Sequence, residues 1–145
     1  MDNKDRFDEK TIQYLQMIQS VIDRMSTTSA IFKGFCATFV AGVFAVSFTE
    51  INKWILMLTV IPVSCFLMLD IYYLRLEKRF RALYNSVREG KKEVDFDLTP
   101  PPIKTLKIGD AGVWSCFKSP SIYLFYIPVL ATSALMIYLK FRGVV

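Results

Sequence analysis

Lys33 and Asp70 stand inside otherwise apolar runs, and they are the side chains of this chain best placed to do chemistry. An ionisable group within a hydrocarbon-length segment is costly, so it implies a partner or a function. Counted outward from the polar turn near Ile51 and Asn52, each lies about 18 or 19 residues away, nearly equal in depth at ~1.5 Å per residue. They are expected to face each other as an ion pair. Ion passage through Asp70, or a solvated interfacial carboxylate, are the other readings.

The rest of the chemical inventory is sparse. There is no histidine to serve as a base or metal ligand. No glycine-rich phosphate loop or metal-spaced cluster appears. Cys36, Cys65 and Cys116 lack paired spacing and read as small packing residues, with neither a disulfide framework nor a metal site implied. Cys116, just ahead of an apolar run, is a candidate for acylation. No motif sets a serine against a lysine as nucleophile and base. An enzyme is not expected, nor is a cofactor.

Three apolar stretches, about 30–49, 54–74 and 120–139, carry most of these residues and make up about two fifths of the 145. Each approaches the ~20 residues a helix needs to cross a bilayer core. The chain is 53% hydrophobic with a formal net charge of +5. Ten of the eighteen Lys and Arg residues fall between Asp70 and Ser119, beside the membrane rather than in a basic stripe with interleaved aromatics. That placement suits topology and anionic lipid and argues against nucleic acid.

Residues 1–28 contain a cytosolic amphipathic helix, with Asp5 or Asp8 as its cap. Leu15, Ile18, Ile22 and Met25 repeat at helical spacing, opposite a glutamine-rich polar side. This stripe is expected to pack on a helix rather than lie flat on lipid. Ser26 to Ser29 suggest a bend or a new cap. In the first span, Gly34, Thr38 and Gly42 form one row of small residues and Ala37, Ala41 and Ala45 another. Such rows let helix backbones approach closely in lipid, so one is assigned to the hairpin and the other to a second copy. Glu50–Lys53 is the hairpin turn, and Pro62 is expected to kink the second span. That span continues into the cytosol, where Phe80, Leu83, Tyr84 and Val87 keep helical spacing until Gly90. Leu15, Ile18 and Ile22 are expected to mate with Phe80, Leu83, Tyr84 and Val87 in a helical layer beneath the membrane, and the stripe with Phe80, Leu83 and Tyr84 is also the expected cytosolic partner face. Residues 75–119 hold this helix and a loop with Pro100, Pro101 and Pro102, then Trp114 and Phe117 at the interface. A tail, 140–145, ends the chain.

The Met17–Met25 stretch, the Ser/Thr run before Lys33-Gly34, the Asp70–Tyr84 stretch and Lys118-Ser119-Pro120 with Phe125-Tyr126 resemble small uncharacterised multipass inner-membrane proteins of bacteria. That resemblance carries no activity and no active site. In layout the chain is also similar to small helical membrane effectors of bacterial antiviral defence, which implies assembly and membrane breach.

The expected fold is therefore an all-α membrane protein. It has three transmembrane helices, an amphipathic N-terminal helix and a long cytosolic extension of the second span. The location is the bacterial inner membrane, with the N-terminus cytosolic and the C-terminus external. The expected function is a self-associating, channel-like effector, a homo-oligomer in the lipid bilayer controlled by a cytosolic protein or small-molecule regulator. The alternative is a non-conducting anchor that recruits a cytosolic partner.

Overall fold

The computed structural model describes residues 8–47, 54, 57, 59–102 and 112–142, and all regular structure among them is helical. Helix α1 spans Glu9–Ser47, α2 Val60–Arg88, α3 Val113–Phe117 and α4 Pro120–Phe141. Asp8 starts α1: its Oδ1 accepts the Glu9 N–H at 2.8 Å and its carbonyl accepts the Ile12 N–H at 3.1 Å. The Ser26–Ser29 run does not break this helix. The Thr28 hydroxyl is satisfied by the Arg24 carbonyl at 2.8 Å, so α1 runs on through the position where a new cap was expected.

A turn at Thr59, after the helical Trp54 and Met57, breaks the helical run just ahead of Pro62. Pro62 is the third residue of α2, and in a first turn a missing N–H removes no intrahelical bond. α2 ends in a Schellman motif: Gly90, with φ of 70°, donates to Val87 O at 3.0 Å, and Lys91 to Ser86 O at 2.9 Å. α4 begins with Pro120 behind an extended Ser119, where the fixed φ of proline suits the first helical position. The turn at Glu50–Lys53, Asp5, and residues 103–111 and 143–145 lie outside the described residues.

The chain divides into two compact units. The first comprises the residues up to Thr28 together with Tyr73–Cys116. Its core is apolar: Tyr14, Leu15, Ile18 and Ile22 from α1 meet Phe80, Leu83 and Val87 from α2, with Val94 and Leu98 packed against them. Burying each large side chain is worth about 1.5–3 kcal/mol. Glu77 is buried beside this core and pairs with the exposed Arg81 at 2.8 Å. The segment after α2 straps this core. Arg79 donates from Nε to Pro101 O at 3.0 Å and from Nη2 to Pro100 O at 3.1 Å. The Tyr14 hydroxyl donates to the Asp97 carbonyl, and its ring packs on Phe96 at 5.5 Å.

The second unit comprises Ser29–Tyr72 with the chain from Phe117 onward. Its buried set includes Ser29, Thr59, Asp70 and Ser133 alongside Cys36, Val40, Val63, Ile71, Ile122 and Tyr126. Large apolar side chains such as Phe35, Phe39, Ile61, Met68, Leu124 and Ile127 point outward. Two described helices, α1 and α4, are long and apolar enough to cross a membrane.

Candidate functional site

The polar interior of the second unit converges on Asp70. Ser29 and Lys33 stand one turn apart on α1, so both reach the same side of it. Lys33 Nζ lies 2.5 Å from Asp70 Oδ2 and donates to Ser29 Oγ at 2.8 Å, while Ser29 Oγ donates to Asp70 Oδ1. Asp70 has no exposed surface, whereas the Lys33 side chain keeps 17%. Tyr126 of α4, also buried, turns its hydroxyl toward Asp70 and Cys36 without completing a hydrogen bond. Groups from three helices thus meet at one carboxylate.

This arrangement pairs two opposite charges and shares a serine between them. Ser29 and Lys33 touch, but the serine hydrogen is given to Asp70 and the lysine acts as donor, so they are not set as nucleophile and base. The Asp70 carboxylate has the Lys33 ammonium beside one oxygen as an ion pair and accepts the Ser29 hydroxyl on the other, which offsets part of the desolvation penalty of a buried carboxylate. The chemical capacity of the node is that of a tether between α1 and α2. Among the described residues no group of three or more Cys, Asp or Glu is placed to hold a metal.

The small-residue rows lie elsewhere. Gly34, Ala37, Thr38, Ala41, Gly42 and Ala45 are all exposed. Beyond the helix's own backbone, nothing lies within 4 Å of where a side chain at Gly34 or Gly42 would begin. The expectation that one row serves the hairpin is corrected: α1 uses its Ser29, Lys33, Cys36 and Val40 side within the chain, because that side carries the groups that satisfy Asp70. Hydroxyls among the apolar segments bond to their own helices, Thr38 to Gly34 O at 3.0 Å, Ser64 to Val60 O at 2.8 Å and Thr132 to Pro128 O at 2.9 Å.

The expected partner face is also corrected. Leu15, Ile18, Ile22, Phe80 and Leu83 are buried against one another, Tyr84 packs on them and Met25 is half-buried, so these side chains are spent inside the chain. Cys116 is fully buried on α3, and burial pushes its thiol up despite Lys78 and Arg75 nearby, so it is not presented for acylation. The exposed side of α3 carries Val113, Trp114 and Phe117.

Ser29 and Tyr126 were not singled out from the sequence. Ser29 reads as part of a cap run, yet its place four residues before Lys33 puts it on the lysine's side of the helix. Tyr126 reads as an interfacial ring, although Ile122, Tyr126 and Ser133 share one helical face and all are buried. No family model, curated protein or solved structure matches the chain.

Proposed function

We propose that this is a self-associating integral membrane protein whose water-facing unit controls its assembly. The observation that carries the reading is the contrast between the two units: one packs an apolar core beside a buried Glu77, the other buries Ser29, Thr59, Asp70 and Ser133 among apolar residues and turns many large apolar side chains outward. Water favours the first arrangement and hydrocarbon the second. In this reading α1 from Ala30 onward, the segment Trp54–Leu74 and α4 are three spans. The 22 residues of α4 cover about 33 Å, enough for a ~30 Å core. The basic Arg75–Lys118 segment stays in the cytosol of a bacterial cell with the N-terminus, and the C-terminus lies outside.

Within lipid the hydrophobic effect does not drive helices together, so contacts come from packing. The outward small-residue rows of α1 supply a surface that a second α1 can approach closely. A ring built on this surface would perturb the membrane. The internally bonded hydroxyls of Thr38, Ser64 and Thr132 favour a second reading, a non-conducting oligomeric anchor, since they offer no polar lining in one copy.

Proteoliposome dye leakage together with the mass of the detergent complex separates the two. Leakage with a multimeric mass supports the effector, and a multimer without leakage supports the anchor. Gly42→Leu and Ala41→Leu are expected to reduce the mass to that of one copy without lowering its thermal stability, because both positions are open in the single chain. An unchanged mass refutes assembly through these rows.

A further inference from the structure

In the first unit, the last turns of α2, the glycine turn and the strap enclose an open pocket of about 240 Å³. Leu83, Ser86, Lys91, Lys92, Thr99 and Pro101 line it. No acidic residue is among them. We propose that this pocket binds a small phosphate ester, with Lys91 and Lys92 on the phosphate and Leu83 and Pro101 against its body.

The state of the two ammonium groups supports this assignment. Lys92 is the more buried, with 29% of its side chain exposed, yet its acceptors stand off. Tyr14 Oη, Asp97 O and Asp95 Oδ2 lie at 3.4 Å and Asp97 Oδ2 at 4.0 Å. Several weak partners hold it in place and none takes it at full hydrogen-bond length. Lys91 pairs with Glu89 at 2.5 Å, but both side chains are well exposed, and such surface pairs exchange readily for a better anion. Two donors are therefore available to one ligand, and charge-assisted bonds to phosphate are the strong kind.

The C-terminal end of a helix would normally repel an anion through its free carbonyls. Here the carbonyls of Ser86 and Val87 are already taken by the N–H groups of Gly90, Lys91 and Lys92. The far wall is held by Arg79 on the Pro100 and Pro101 carbonyls, so the pocket stands formed before a ligand arrives. Its volume falls below the ~300–1,000 Å³ of sites for drug-sized molecules, which fits a short phosphate ester rather than a dinucleotide. The site lies wholly within one unit and does not depend on assembly.

The test is calorimetric titration of the full chain in discs of uncharged lipid. Glycerol phosphate and AMP are the probes, with sulfate at matched ionic strength as control. Saturable binding of either ester is expected, tighter than sulfate, and Lys91→Gln and Lys92→Gln should each weaken it about tenfold. Lys91→Gln carries the decision if Lys92→Gln disturbs folding, because its side chain is exposed. Competition by discs containing phosphatidic acid would support the same chemistry and identify a lipid headgroup as its source. Absence of binding at millimolar ester, equal binding of sulfate, or affinity unchanged by both variants overturns the proposal.

Discussion

Lys33→Ala strands a carboxylate that has no exposed surface, and the size of the effect follows from what is left around it. Removing one member of a buried ion pair costs about 3–5 kcal/mol, mostly because the remaining charge is uncompensated. Ser29 still donates to Asp70, which offsets about 1 kcal/mol, so a loss of about 2–4 kcal/mol is expected. Asp70→Ala should cost less, about 2–3 kcal/mol, since Lys33 is partly exposed and its flexible stem can carry the ammonium toward water. The measure is thermal unfolding of the detergent-solubilised chain by circular dichroism, for both single variants and the double variant. For Lys33→Ala the midpoint should fall by about 10 °C. The double variant should lose less than the sum of the singles, since once one partner is gone the other has nothing to lose. Exchanging the residues, Lys33→Asp with Asp70→Lys, should restore part of the loss but not all, because Ser29 is placed to donate to a carboxylate on α2. Additive single effects, or an exchange no better than the worse single variant, refute the claim that this contact ties α1 to α2.

Three further outcomes follow from the first unit. Burial raises the pKa of Tyr14 above its ordinary value, aided by Asp95 and against the pull of Lys92. Burial works against the Lys92 ammonium, but Tyr14 and Asp95 outweigh it and its pKa is also raised. Both groups stabilise the fold fully below their unfolded pKa values, about 10, and that contribution is lost as pH rises through the raised folded values. Asp95 is lowered, first by the Asp97 N–H and then by Lys92, so its contribution is present above about pH 4 and lost as pH falls through its depressed value. Proteolytic cutting within 93–102 should therefore increase in strong alkali and, more weakly, in acid; equal cutting at neutral and alkaline pH refutes this. Arg79→Lys, which cannot bond both proline carbonyls in one plane, should raise cutting in the same segment at neutral pH, and no change would show that the strap is held elsewhere. Ile18→Ala, at a fully buried position, should cost about 2–5 kcal/mol, and a loss no larger than that of an exposed substitution such as Gln16→Ala would show that Ile18 is not core.

Helical content and the placement of its segments were legible because apolar periodicity, proline and glycine act locally. Gly90 ends α2 through its own backbone freedom, and Pro120 starts α4 through its fixed φ. The depth of Lys33 and Asp70 was legible too, since residue count converts directly to rise along a helix. One local expectation failed. The Ser26–Ser29 run suggests an interruption, but a hydroxyl bonded back along its helix leaves the helix intact.

Local sequence alone accounts for the helical segments, their apolar character and the stripe that pairs α1 with α2 in the first unit, because those depend on neighbours within a turn or two. Which further side chains gather around Asp70 in the second unit is a tertiary outcome. Ser29, Tyr126 and the pocket beside Lys92 arise from residues far apart in the chain, and no local rule chooses among the faces that α1 offers in the second unit. That choice follows from satisfying Asp70: a buried carboxylate takes the side of α1 that brings it a lysine and a serine, and this leaves the small-residue rows facing out.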